Sequence, residues 1–316
     1  MGYSIVEFAK SLRGDRCKIR NTPNLIFLCG GKIGENGPYL SCRDYFWRHL
    51  KNNAKKIADR VRLAEDVNKW FRGGEFPDLL MLENYVAHLA DITVLFVESP
   101  GSIAELGAFA ASDTLRPKTL AVVNTFYEMR RTFIIDGPIQ KILNEDKSLV
   151  HYYEWNPENL NSTDAVNEFR EIAEGLTRFL KSRAKSLPKQ QAFNINLHGH
   201  VLLMITDLIE TAGVATSTDI ARCLEALGGQ ANRKDLNRYL SLLESMSFIA
   251  NAHRSNEDFF VPGSSRRFIR YAYQPGVVLK ERTKIVCSIR NNLSPLRRSV
   301  LAYAMHKSRR EGPRNV

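Results

Sequence analysis

A glutamate stands shortly after an apolar segment, at a spacing that suits two different roles. The stretch reads FVESPGSIAELGAFA over residues 96–110. Ser102 and Glu105 have the S-x-x-E spacing of a capping box, in which the two side chains satisfy backbone N–H groups at a helix start. The Glu105 carboxylate could instead act as a nucleophile on an electron-poor carbon. The spacing alone leaves both roles open.

The residues before Glu105 favour the chemical role. Residues 91–97 form an apolar run typical of a strand buried on both faces of a parallel sheet. Open α/β folds bind ligands at the carboxyl ends of such strands, and the small residues that follow let a substrate approach closely. We therefore predict Glu105 as the catalytic residue, with substrate contacts from Ser99, Gly101 and Ser102.

A glycine-rich loop follows another predicted strand, at residues 24–29. The loop contains Gly30, Gly31 and Lys32. It matches neither G-x-x-x-x-G-K-[ST] nor G-x-G-x-x-G, so the standard phosphate-binding motifs are not present. All three residues are predicted to contact a substrate, and a simple tight turn is the alternative.

Two further polar positions belong to the predicted site. Residues 61–66 predict a strand that ends in two adjacent carboxylates, Glu65 and Asp66. Because neighbouring side chains on an extended chain point to opposite sides, at most one of them enters the site, and Asp66 is the candidate. Asn84, on a predicted helix at 79–89, either donates to the substrate or packs at a helix face.

The order of predicted elements indicates the fold class. Within residues 1–187, strands alternate with helices, the strands lying at 24–29, 61–66, 92–97, 118–123 and 151–155. This alternation predicts an α/β domain with a parallel sheet of flavodoxin-like or Rossmann-like type. In residues 188–316, three short helices precede two short strands, which is the order of a winged helix in a mostly helical domain.

Positive charge is concentrated towards the C-terminus. The formal net charge is +11, from 45 Lys and Arg against 34 Asp and Glu, and residues 266–316 hold 13 of these cations and 2 of these anions. A basic segment on a neutral body is typical of a protein that binds nucleic acid; a winged helix that docks a protein is the alternative. The predicted nucleic-acid or partner contacts are Arg233, Lys234, Arg238, Arg266, Arg267, Arg297, Arg298, Arg309 and Arg310.

Composition and spacing argue against several classes of protein. No apolar run reaches the roughly 20 residues of a membrane helix, and the N-terminus lacks a signal-peptide core. The five cysteines show neither zinc-ligand nor disulfide spacing. No G-x-S-x-G segment or Ser-His-Asp order supports a hydrolase triad. We expect a cytoplasmic protein with no metal and no resident cofactor.

The segment around Glu105 resembles a known signature. Ser-Pro-Gly-Ser, two residues and then Glu-Leu-Gly-Ala after an apolar strand is similar to the motif of nucleoside 2-deoxyribosyltransferase-like domains. In that family the glutamate before Leu-Gly is the nucleophile that attacks the anomeric carbon, a role that falls on Glu105 here. Such a domain joined to a winged helix with a basic end resembles the effectors of a class of bacterial retrons. Those effectors act in phage defence beside a reverse transcriptase and its branched RNA–DNA product, msDNA.

The resemblance implies a toxic N-glycosidase. Its implied substrate is NAD+, cleaved with release of nicotinamide, or a related nucleotide, so that NAD+ is a substrate rather than a cofactor. Control through the reverse transcriptase and msDNA is implied, and self-assembly is a further expectation. The alternative from a different class is a non-catalytic protein that senses a nucleotide with its first domain and regulates transcription by binding DNA with its second.

Overall fold

A computed structural model describes most of the chain. The described residues are 3–71, 74–128, 132–156, 159–186, 188, 190–230, 232–263, 266–278 and 280–311, without the side chains of Asn68, Glu128 and residues 307–311. The predicted contacts Arg309 and Arg310 therefore have side chains outside the described part, and Leu187, at the predicted domain boundary, lies outside it altogether.

The chain divides into two compact units. The sheet unit comprises residues 24–69 and 78–187, and the terminal unit comprises residues 1–23, 70–77 and 188–316. The division near residue 187 coincides with the predicted boundary. The first 23 residues and residues 70–77, however, belong to the terminal unit, which differs from the predicted domain of residues 1–187.

Short strands occur in both units. They are β1 (Lys18–Ile19), β2 (Ile26–Cys29), β3 (Val61–Leu63), β4 (Ile92–Val97), β5 (Thr119–Asn124), β6 (Val150–Tyr153), β7 (Gln191–Ala192), β8 (Ile249–Arg254), β9 (Glu257–Pro262) and β10 (Ile269–Arg270).

The described helices surround these strands. They are α1 (Ile5–Lys10), α2 (Cys42–Asn53), α3 (Lys55–Ala58), α4 (Ala64–Phe71), α5 (Leu79–Leu89), α6 (Pro100–Ala111), α7 (Thr125–Glu128), α8 (Gln140–Glu145), α9 (Thr163–Ser186), α10 (His198–Ala212), α11 (Ser217–Ala226), α12 (Arg233–Ser245), α13 (Arg282–Asn291) and α14 (Pro295–Glu311).

The sheet unit is an α/β fold around a five-stranded parallel sheet, as predicted. The strand order is β3-β2-β4-β5-β6, and each neighbouring pair is parallel. In chain order this is 2-1-3-4-5, the order of flavodoxin-like sheets, whose ligands bind where the order reverses. That point lies between β2 and β4, where Cys29 pairs with Leu95.

The core of the sheet unit explains why these segments are strands. Every residue of β2, β4 and β5 is buried, as expected for a parallel sheet covered by helices on both faces. Leu28 and Phe96 belong to one face, in the same apolar cluster as Phe46 of α2 and Phe169 of α9. These contacts hold the N-terminus of α2 beside the end of β2.

The N-terminal segment is part of the terminal unit because it supplies the middle strand of a small sheet. β1 pairs antiparallel with both β7 and β10, and an isolated bridge joins Leu12 to Tyr273. These pairings link residues about 170 to 260 positions apart, so local sequence patterns could not predict them.

The rest of the terminal unit is mostly helical. Helices α10, α11 and α12 precede an antiparallel hairpin of β8 and β9, and Ala215 between α10 and α11 bridges Phe260 of β9. A second helical pair, α13 and α14, follows. Among the described helices, none is long and apolar enough to cross a membrane.

Candidate active site

Glycines at the end of β2 are required by packing inside the protein. Gly30 has φ +144°, and a Cβ atom there would lie 2.7 Å from the Phe96 Cβ and 3.0 Å from the Arg43 Cδ. A Cβ on Gly31 would lie 2.7 Å from the Ser41 Cβ. The two predicted contact residues therefore allow β4 and α2 to approach β2, whatever further role they have towards a ligand.

The backbone of this loop already binds an anion, namely the carboxylate of Glu98. Glu98 accepts hydrogen bonds from the N–H groups of Gly31 at 3.1 Å, Cys42 at 2.9 Å and Arg43 at 3.1 Å. Such N–H groups at a helix N-terminus are a common phosphate site in α/β folds. Glu98 occupies these N–H groups, so they are not available to a ligand. The remaining positive charge of the predicted loop is on the exposed side chain of Lys32.

The capping box of α6 lies one turn earlier than its predicted position. Ser99 is the N-cap and Pro100 the first helical residue. The Ser99 hydroxyl accepts from the Ser102 N–H at 3.1 Å, and the Ser102 hydroxyl accepts from the Ser99 N–H at 2.9 Å. The alternative in which Ser102 and Glu105 form the box is therefore wrong, because proline fixes the first helical position at residue 100. Glu105 lies in the second turn, outside the cap.

Glu105 is free of a capping role and lies in a largely buried environment. Its Oε2 atom is buried and has no hydrogen-bond partner among the described residues. The buried thiol of Cys29 is an electrostatic neighbour of the Glu105 carboxylate. Because burial raises the pKa of Cys29 well above its usual value, the thiol keeps its proton.

A second carboxylate, Glu83 of α5, affects the pKa of Glu105. Glu83 is 5% exposed. Burial and the charge of Glu83 raise the pKa of Glu105 to about 8, while burial raises the pKa of Glu83 to about 7. The Ser102 hydroxyl is used in the cap and does not hold Glu105 in its ionised form.

One buried guanidinium offsets this negative charge. Arg43 is 1% exposed and donates to both oxygens of Glu65, at 2.9 and 2.7 Å. It also donates to the carbonyl oxygens of Leu28 and Gly31. Arg43 is an electrostatic neighbour of both Glu83 and Glu105 and lowers both pKa values. We name these four residues, Arg43, Glu65, Glu83 and Glu105, the carboxylate cluster.

The sequence neighbours of two predicted contacts, Asp66 and Asn84, are the residues that join the cluster. Asp66 lies in the first turn of α4 rather than on a strand, because β3 ends at Leu63, and it pairs with Lys69 at 3.2 Å. Glu65 is the carboxylate that reaches Arg43. Asn84 is half-buried, whereas the preceding Glu83 belongs to the cluster. The sequence signal for Glu65 and Glu83 was present, since each is an acidic residue beside the residue we chose.

A cavity of about 260 Å³ opens beside the cluster, at the carboxyl ends of β2, β4, β5 and β6. Of the predicted contacts, it brings together Gly31, Lys32 and Ser99, and its wall also includes Glu98, Asn124, Tyr127 and Trp155. Glu105 does not line it. Gly31, which lines the cavity, accepts a hydrogen bond at 2.9 Å from Arg43, a member of the cluster. The cavity and the nucleophile candidate are therefore neighbours at one edge of the sheet.

Comparison with known proteins identifies the family of this chain. Residues 39–251 match the STM3845 retron effector protein family. The chain belongs to that family. A relative in Escherichia coli, named "Retron Ec86 putative ribosyltransferase/DNA-binding protein", is 36% identical over 118 residues, which are 36% of each chain. The corresponding retron Ec73 protein of Escherichia coli is 25% identical over 243 residues, 73% of this chain and 75% of that protein. The Ec86 alignment thus spans about a third of that relative's length.

Most of the residues predicted to contact nucleic acid form ion pairs or hydrogen bonds with other residues of this retron effector. Arg238 pairs with Asp235 at 2.9 Å, Arg267 with Glu210 at 3.7 Å and Arg297 with Asp219 at 2.8 Å. Arg266 and Arg298 donate to the backbone carbonyls of Pro23 and Asn291.

Two of the predicted cations with described side chains are exposed and differ from the others in their lack of an internal partner. Arg233 and Lys234 lie in the first turn of α12, and no ion pair within the described part of the chain involves them. The terminal unit nevertheless holds 25 Lys and Arg against 13 Asp and Glu, a net charge of +12, whereas the sheet unit has 20 against 21, a net charge of −1. The positive charge of the effector therefore belongs to one unit.

Proposed function

We propose that this retron effector is an N-glycosidase that cleaves the bond between nicotinamide and ribose in NAD+. The observation that carries the proposal is the composition of the carboxylate cluster, in which three carboxyl groups surround one guanidinium. Such a cluster suits a substrate that brings positive charge with it. The nicotinamide ring of NAD+ carries that charge at the atom that leaves.

The charge of the substrate also supplies the protonation state that the reaction needs. With a pKa of about 8, Glu105 is only about one-tenth ionised at pH 7. A cation bound nearby favours the ionised form and lowers the pKa. A pyridinium ring in the site would therefore ionise its own nucleophile, whereas a neutral nucleoside would leave Glu105 largely protonated.

The steps balance without a metal or an external acid. The Glu105 carboxylate forms a bond to the anomeric carbon as the carbon–nitrogen bond breaks, and the bonding pair neutralises the ring nitrogen of nicotinamide. Water then attacks the same carbon, the bond to Glu105 breaks, and the proton of water passes to a base, for which Glu83 of α5 is the candidate. The products are nicotinamide, ADP-ribose and a proton, through transition states of the oxocarbenium type.

The terminal unit would connect this activity to the retron. The order of α10, α11, α12 and the β8–β9 hairpin, with the bridge from Ala215 to Phe260, supports a winged helix. The net charge of +12 suits a polyanion. We propose that this unit binds the reverse transcriptase with its msDNA, and that the complex controls the glycosidase as part of a toxic phage defence.

The test is nicotinamide release from NAD+ by the purified effector, alone and with its reverse transcriptase and msDNA. Glu105→Gln keeps the shape and removes the nucleophile, so release should stop. Glu174→Gln is the matched control, because it neutralises a carboxylate of the sheet unit that pairs with Arg178 outside the cluster. NADH, whose dihydropyridine ring is neutral, should not be cleaved. Equal release by Glu105→Gln and the unaltered effector would sink the proposal.

A second candidate, a non-catalytic regulator that binds DNA, is favoured by the charge of the terminal unit and by the words "DNA-binding" in the names of both relatives. Toxicity in cells separates the two. If Glu105→Gln folds and binds DNA but is no longer toxic, the enzyme is favoured. Retained toxicity would favour the regulator.

A further inference from the structure

The small sheet of the terminal unit has two like charges directly opposite each other on its exposed face. Lys18 of β1 pairs in register with Arg270 of β10, and both side chains are exposed. Directly opposed like charges destabilise an antiparallel sheet. An anion that binds across Lys18 and Arg270 would offset this loss of stability.

Neighbouring positions keep this face positive and open. On the other side of Lys18 the register partner is Ala192, which is small and exposed. Arg20, two residues along the chain from Lys18, is also exposed, and its N–H donates to the carbonyl of Phe268. The ladder therefore continues to Arg20, and side chains two apart in a strand share a face.

None of these cations is neutralised within the described part of the chain. No ion pair there involves Lys18, Arg20 or Arg270, in contrast to Arg16, which lies 4.0 Å from Asp15, and Arg267, which lies 3.7 Å from Glu210. We name Lys18, Arg20 and Arg270 the basic row.

We propose that the basic row is a docking surface for the phosphate backbone of duplex DNA. The inference rests on the nucleic-acid partner proposed above and adds where that partner is bound, at residues that no sequence motif singled out. Phosphate contacts position a protein on DNA without reading its sequence, and they need only cations. Single strands, by contrast, are held on aromatic side chains, and the basic row contains none.

The test measures binding of a fluorescently labelled DNA duplex of about 20 base pairs between about 50 and 200 mM salt. Lys18→Ala/Arg270→Ala should weaken binding and make the slope of log K against log salt shallower by about 1.8, since each phosphate contact contributes about 0.9. Lys55→Ala/Lys56→Ala, which removes two exposed cations from α3, is the matched control and should leave the slope unchanged. An unchanged slope in the first variant would overturn the proposal, as would a loss confined to duplex RNA.

A single charge reversal separates binding from folding. Lys18→Glu replaces the repulsive pair by an attractive one, so its melting temperature should rise while its affinity for DNA falls. A fall in both would mean that the variant is misfolded or that Lys18 is structural, and would count against the proposal. Nicotinamide release is measured on the same preparations. Its absence from the unaltered effector would refute the NAD+ proposal without touching the DNA result.

Discussion

Arg43 and Glu65 form a two-pronged ion pair across the end of β2, with an Arg43 side chain that is 1% exposed and a Glu65 side chain that is 44% exposed. The pair compensates a guanidinium buried beside two further carboxyls. If Glu65 is neutralised, the Arg43 guanidinium loses its ion pair and keeps its hydrogen bonds to the carbonyls of Leu28 and Gly31.

Glu65→Gln should lower the free energy of unfolding by about 2 kcal/mol, below the roughly 3–5 kcal/mol for a fully buried pair because Glu65 is partly in water. The midpoint of urea unfolding measures it. Glu174→Gln is the control, since the Glu174–Arg178 pair is 3.8 Å long and exposed on both sides and should contribute less than about 0.5 kcal/mol. Equal midpoints for the two variants would contradict the role given to Arg43.

The pH dependence of catalysis should report the pair of Glu83 and Glu105. Because the nucleophile must be ionised, kcat/KM should rise with pH through the range set by pKa values of about 7 and about 8. Glu83→Gln removes the repelling charge, so the rising limb should move to lower pH. An unmoved limb would show that Glu83 does not act on Glu105, and Glu174→Gln, whose carboxylate pairs with Arg178 at the surface, serves as the reference profile.

Whereas kcat/KM should increase with pH, the contribution of Glu105 to the free energy of unfolding should decrease with pH. The folded-state pKa of about 8 exceeds the usual value of 4.5, so the folded protein binds a proton that the unfolded chain has lost, and stability falls as pH rises from about 4.5 to about 8. Glu105→Gln cannot ionise. Its melting temperature should exceed that of the unaltered effector at pH 8, and the difference should shrink towards pH 5. A constant difference at both pH values would indicate a packing effect instead.

Gly30 should tolerate alanine far less than Gly37 does. Both have positive φ, +144° and +78°, so both variants incur backbone strain. A Cβ on Gly30 would overlap Phe96, whereas nothing lies within 4 Å of one on Gly37. Overpacking of this kind costs about 1–3 kcal/mol beyond the strain. Thermal unfolding of Gly30→Ala and Gly37→Ala should show that difference, and comparable melting temperatures would refute the close approach of β4 to the loop.

Local patterns predicted the sheet unit well. The strand at 92–97 and the helix at 79–89 match β4 and α5 at both ends, because the first is an unbroken apolar run and Asp78 caps the second. The start of α6 was missed although its signal was visible: Pro100 directly after Ser99 identifies the cap better than a more distant glutamate does.

Other parts of the site depend on contacts that no local pattern records. Glu98 binds N–H groups 55 to 67 residues away in the chain, so its type and position did not distinguish it from a solvent-exposed loop carboxylate. The roles of Arg43 and Glu83 likewise arise only when β2, α2 and α5 come together. The pairing of β1 with β10 is the clearest example, since it joins the first and last of the described strands.

That last pairing sets an order of assembly during translation. Residues 24–187, which include every member of the carboxylate cluster, leave the ribosome before Arg270 is made. At about 5–20 residues per second, the 83 residues between positions 187 and 270 take roughly 4 to 17 seconds. During that interval the nascent sheet unit can form the carboxylate cluster while β1 waits for its second neighbour. A newly made effector would thus complete the carboxylate cluster before it completes the basic row.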